Sequence, residues 1–167
     1  AFSQAVWTAF LSKDAVEVLV LEFGTRSRGD MRQLLRTVVP DIAILTTLTP
    51  SYSTDVDLLR TLQDEMEVLC QAVGSRCHFL VDGDDPLLHE IIASLPTAPI
   101  LLQHSAWTEN GNGIQLQGHT RQYAVTREVI GASERLSVQA AVALAEHWTP
   151  LSVEAIQRFL TENEGVR

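Results

Sequence analysis

Four short apolar runs, the first three each followed by a stretch with helical spacing, constrain this 167-residue chain more than any other feature. The first is Glu17–Phe23, whose near-continuous apolar core predicts a parallel strand covered on both faces. A helix of about Gly29–Val38 follows, with Met31, Leu34, Leu35 and Val38 on one face and Pro40 closing it. The second strand is expected at Asp41–Thr46. Thr54 or Asp55 then caps a long helix through Val73, stopped by Gly74. Cys77–Val81 reads as the third strand, Leu87–Leu95 as its helix and Ile100–Gln103 as the fourth strand. Such alternation implies βαβ units and a parallel, Rossmann-like α/β sheet flanked by helices.

The pattern changes beyond the fourth strand. Residues 110–118 and 121–130 alternate in polarity, with Gly and Asn turns between, which predicts half-exposed antiparallel strands. Helices are expected at Ser133–Trp148, which is alanine-rich, and at Ser152–Leu160, with Ser152 as N-cap. A short amphipathic helix over residues 2–12 opens the chain, on the spacing of Phe2, Val6, Ala9 and Phe10. Length and pattern together predict one domain over residues 1–167.

Charge narrows the partners. Twenty-one acidic against twelve basic residues give a formal charge of −9, which argues against nucleic acid and anionic membranes, where clustered cations are needed. No apolar run reaches the ~20 residues of a membrane span, so no membrane insertion is expected. Ala1 is preceded by no methionine and followed by no basic leader pattern. The chain therefore reads as a cytoplasmic domain trimmed from something longer, without a signal peptide. Cys70 and Cys77 form no metal-binding spacing and read as small core residues in a reducing compartment.

Chemistry is expected at the carboxyl ends of the parallel strands, where open α/β sheets bind ligands. Glu22 falls at the first such tip, beside Gly24 and a turn carrying Arg26 and Arg28. Those arginines read as an anion receiver or as solvated turn residues. The turn Asp82-Gly83-Asp84-Asp85-Pro86 follows the third strand, and helix N-capping explains its carboxylates without invoking a ligand. His78, His89, His104, His119 and His147 form no i, i+4 pair or triad-like set and read as non-catalytic. Trp7, Trp107 and Trp148 are dispersed and read as packing residues.

The order of motifs resembles the central domain of the Mur ligases, most of all the branch that adds D-alanyl-D-alanine. Leu21-Glu22-Phe23-Gly24 with Arg28-Gly29-Asp30 is similar to the family's Glu-Met-Gly…Arg-Gly-Glu. Pro40–Thr47 is similar to Pro-Asp-hydrophobic-run-Thr-Asn, and Asp82–Asp85 to Asn-Ala-Asp-Asp. Ile130–Ala141 stands where the family has Gly-x-His-Asn-x-x-Asn-Ala, and Gly165-Val166-Arg167 resembles the closing Gly-Arg. The resemblance implies ATP-dependent amide-bond ligation in peptidoglycan precursor synthesis, with Mg²⁺ and ATP as cofactors. It assigns metal binding to Glu22 and the metal histidine's place to Tyr52. Nucleotide contact falls to Asp82, Asp84, Asp85, Glu134, Ser137 and Arg167.

The chain departs from that pattern where the chemistry is most demanding. It has no Gly-x-x-x-x-Gly-Lys phosphate loop, and its only lysine is Lys13, so no carbamylated lysine lies in the long helix. Gln63 and Glu65 are the candidates for that position, Glu65 as a carboxylate stand-in. The expected function is a degenerate Mur-ligase-like domain, a pseudoenzyme that binds a protein partner or a UDP-muramyl-type small molecule. The alternative is a fragment of a working ligase whose phosphate loop lies upstream of Ala1. A receiver-like domain is excluded by the absence of a late lysine.

Overall fold

In a computed structural model, the structure describes residues 18–48, 56–111, 113–126, 131–148 and 151–162. The helix expected at 2–12, the Thr54 or Asp55 cap, Lys13, Tyr52 and Arg167 lie outside the described residues. The elements run α1 (Asp30–Leu35), β1 (Ile42–Leu45), α2 (Val56–Val73), β2 (His78–Asp82), α3 (His89–Ser94) and β3 (Ile100–Leu102). Then come β4 (Trp107–Asn110), β5 (Gly113–Gln117), β6 (Gln122–Val125), α4 (Gly131–Trp148) and α5 (Val153–Glu162). The fold is mixed α/β. β1, β2 and β3 form a parallel sheet in chain order, and β4, β5 and β6 a separate antiparallel sheet.

Period-2 alternation sorts the parallel strands between two layers. Ala43, Leu45, Phe79 and Val81 point to one face, where Met31 of α1, Leu69 and Val73 of α2 and Ile91 of α3 cover them. Leu80 and Leu102 point to the other, onto Leu136, Ala140 and Ala143 of α4. A second stripe of α4 (Val138, Val142, Ala145) packs on Leu116, Tyr123 and Val125 of the antiparallel sheet, with Ile156 and Leu160 of α5 behind them. One helix therefore serves both sheets, which is why its sequence is apolar around most of its circumference. Gly74, at φ +57°, ends α2 as the glycine stop predicts. Ser152 caps α5 through its hydroxyl, which accepts the Ala155 N–H at 3.2 Å.

The strand expected at Glu17–Phe23 is not one. Residues 18–26 join no ladder, and Val18 and Val20 are 70% and 85% exposed. Among the described residues, β1 is the edge of the sheet instead. The cause lies in the covering layer. α4 packs over β2 and β3, and on β1 Ile44 is already 39% exposed on that face. A strand outside β1 would have one apolar face uncovered. Only Phe23 of this segment packs against the core.

Candidate binding site

The carboxylates at the strand tips are tied into the fold. Asp82 and Asp85 are 4% and 3% exposed. Asp82 Oδ2 accepts the Thr47 hydroxyl at 2.8 Å, and its Oδ1 accepts the Asp84 N–H at 3.1 Å. Asp85 Oδ2 accepts the Leu48 N–H at 2.6 Å, while Oδ1 accepts the Leu87 N–H at 2.8 Å and caps the turn Pro86–Leu88. Asp84 Oδ2 accepts the His104 N–H at 2.5 Å. The acidic turn after β2 thus joins the chain leaving β1 to the chain leaving β3. Buried carboxylates are stable in this state because charge-assisted bonds from N–H groups replace the lost water. Gly83 permits the approach: a Cβ there would sit 3.2 Å from the Leu101 Cβ and 3.4 Å from the Leu102 carbonyl oxygen.

The other expected site residues do not join this cluster. Glu22 is exposed in the segment before α1. Glu65, expected as a stand-in for the carbamylated lysine, is 3% exposed and accepts the N–H groups of Gly29 at 2.7 Å and Met31 at 2.6 Å. It caps α1 from a neighbouring helix. Gly29 adopts φ +93°, a conformation that glycine tolerates and that starts α1. Gln63 Nε2 donates to the Leu87 carbonyl at 3.4 Å. Arg28 pairs with Asp64 at 3.2 Å on the open surface, and the Arg26 N–H donates to Asp30. Main-chain bonds from Arg26 and Ser27 hold the Asp30 carboxyl below its ordinary range. Glu134 and Ser137 lie in the first turns of α4, where the Ser137 hydroxyl donates to the Ser133 carbonyl at 2.9 Å. Among the described residues, no group of three or more His, Cys, Asp or Glu side chains forms a metal site.

A concavity lies elsewhere. A cleft of about 400 Å³ runs along the outer edge of β3, between that strand, the β5–β6 turn and α4. Leu102, Leu116 and Val142 back it as buried side chains, while Gln103, Gln117 and Gln139 supply carboxamides. None of its lining residues is Asp, Glu, Lys or Arg. Gln139 is the notable group. It is 9% exposed and makes no hydrogen bond among the described residues. Trp107 Nε1 is the sole sealed and unpartnered side-chain polar atom among them, so the Gln139 carboxamide keeps its contact with open space. For a residue this buried on the cleft wall, that space is the cleft.

The rim is organised by Glu146 of α4. It accepts the His119 N–H at 2.6 Å, the Thr120 hydroxyl at 2.8 Å and the Tyr123 hydroxyl at 3.0 Å. Burial alone would raise the Glu146 pKa, and these bonds outweigh it, leaving the carboxyl below its ordinary range. Burial and the neighbouring carboxylate push the Tyr123 hydroxyl up to about 12. Gly118 is required here, since a Cβ would fall 2.9 Å from both Glu146 oxygens and 2.8 Å from Tyr123 Cε2. The rings of His119 and His147 meet at 4.6 Å. His147 Nδ1 lies 2.9 Å from the Ala143 carbonyl, which can only accept, so Nδ1 carries the proton. A smaller hollow of about 270 Å³ lies beyond, between His78, His147 and Trp148.

Sequence reasoning passed over this cleft because it ranks chargeable residues first. The signal was a glutamine at 139 interrupting an otherwise apolar helix face. No protein-family model, no curated protein and no solved structure matches this chain.

Proposed function

We propose that this chain is a binding domain on a Mur-ligase-like α/β frame, and that it forms no amide bond itself. The observation that carries this reading is the commitment of the strand-tip carboxylates. Asp82, Asp84 and Asp85 accept hydrogen bonds that link three strand ends, and Glu65 caps a helix. A ligase of this type needs carboxylates available to Mg²⁺, which bridges to nucleotide phosphates. Here Asp82, Asp85 and Glu65 would have to give up main-chain N–H groups in buried or partly buried positions. The phosphate loop and helix lysine missing from the sequence point the same way.

The cleft beside β3 is the natural place for a partner, because it sets the carboxamides of Gln103, Gln117 and Gln139 beside the edge of that strand. Cys70 and Cys77 are both free thiols, which suits a reducing, cytoplasmic setting. Among the described residues no helix is long and apolar enough to cross a membrane. Titration with Mg-ATP tests the reading. No saturable binding at millimolar nucleotide is the expected result, and micromolar binding would restore the ligase alternative.

A further inference from the structure

We infer that the cleft along β3 binds an uncharged peptide segment in extended conformation, which adds a strand to the parallel sheet. The inference rests on the binding-domain reading and names its ligand class.

The main chain supplies the first argument. β3 pairs with β2 on one side and, among the described residues, has no strand on the other. The Leu102 carbonyl accepts the Gly83 N–H at 2.8 Å, so Leu102 turns its polar groups towards β2. In a parallel ladder successive residues alternate in direction, so Leu101 turns its N–H and C=O outward along the cleft. These groups form one donor–acceptor pair at the spacing a new strand would use.

Gln139 supplies the second, independent argument. A carboxamide offers both a donor and an acceptor, the same complement as a peptide group. It is nine-tenths buried, has no partner among the described residues and lines the wall facing β3. A strand laid on Leu101 would bring its own amides to that wall.

The lining supplies the third. Gln103 and Gln117 are exposed along the cleft and carry no fixed charge. An acidic segment would also meet the repulsion of a chain carrying −9. Peptide chemistry fits better than a small polar solute, because the outward pair at Leu101 matches the main-chain pair of an incoming strand.

The test uses the ¹⁵N-labelled full chain and a blocked peptide, Ac-Val-Ser-Val-Ser-Val-NH₂, with a copy N-methylated at its central residue. Saturable shifts at the Leu101 amide and the Gln139 side-chain NH₂ are expected. N-methylation should weaken binding about tenfold or more, the loss of a hydrogen bond made in a dry site. Gln139→Leu should do the same while keeping the helix apolar and packed, and Gln139→Asn, if the first variant folds poorly, should weaken binding less. Equal binding of the N-methylated peptide overturns strand addition. So do shifts confined to other surfaces, absence of saturation, or equal affinity for N-methylacetamide, which would mark a small-molecule pocket. Mg-ATP titration of the same sample reports on the strand tips separately, so failure of the peptide and failure of the binding-domain reading are distinguishable.

Discussion

Glu65 holds the start of α1 through Met31. One carboxylate oxygen accepts the Met31 N–H at 2.6 Å, and the other accepts the Gly29 N–H at 2.7 Å. The bond spans 34 positions and fixes α1 against α2. Replacing Glu65, itself 3% exposed, with Ala leaves the Gly29 and Met31 N–H groups without that partner, and should cost roughly 2–4 kcal/mol. Glu65→Gln keeps one acceptor and should cost less. Urea midpoints measure both. An unchanged midpoint for Glu65→Ala would mean that water replaces the carboxylate there.

The strand-tip turn makes a parallel prediction with a sharper control. Asp85→Ala removes the acceptor of Leu48 and Leu87 and should destabilise by about 2–4 kcal/mol. Added Mg²⁺ should not raise the melting temperature of the native chain. A rise that disappears in Asp85→Ala would identify the carboxylate as a ligand.

How much of this was legible in the sequence depends on the kind of question asked. The helix stop at Gly74 and the cap at Ser152 are local, and single residues encode them. β1, β2 and β3 are short apolar runs between turn signals, and they form within a residue or so of where they are expected. Glu17–Phe23 carries an equally strong apolar run and forms no strand. An apolar run records a demand for burial and says nothing of whether a covering layer exists. β4 escaped notice because Trp107-Thr-Glu-Asn has one apolar residue, too few to count a period. The acidic turn was legible as a turn. Its partners Thr47 and Leu48 lie 35 and 37 positions away and emerge only on folding.

Gly118 is predicted to tolerate no side chain. Gly118→Ala places a Cβ 2.9 Å from both Glu146 carboxylate oxygens and should cost about 1–3 kcal/mol. Glu146→Ala in the same chain opens that space, so the double variant should lose less than the sum of the single losses. Additivity in thermal melts would place the clash elsewhere.

The same contact sets the pH limits of stability. Glu146 titrates below its ordinary 4.5 in the fold, so its contribution is complete above that pH and is lost as pH falls through the depressed value. Tyr123 is raised from 10.0 to about 12, so its contribution is complete below pH 10 and is lost as pH rises towards 12. Tyr123→Phe should flatten the alkaline limb of a stability–pH curve, and Glu146→Gln should reduce the acid limb. An unchanged alkaline limb in Tyr123→Phe would count against the buried hydroxyl as its cause.

Both thiols should be silent in the native protein. Burial, with the neighbouring Cys77, pushes Cys70 to about 11, and burial likewise carries Cys77 to about 11. Iodoacetamide at mildly alkaline pH should label neither until denaturant is added. Rapid native labelling would mean that the α2–β2 region opens readily.

The most direct measurement is calorimetric titration of the whole chain with Mg-ATP. The account holds that Asp82, Asp84, Asp85 and Glu65 serve as hydrogen-bond acceptors within the fold and not as ligands of a metal–nucleotide complex. It predicts heats indistinguishable from dilution up to millimolar nucleotide. Saturable micromolar binding, lost on Asp82→Asn, would contradict it.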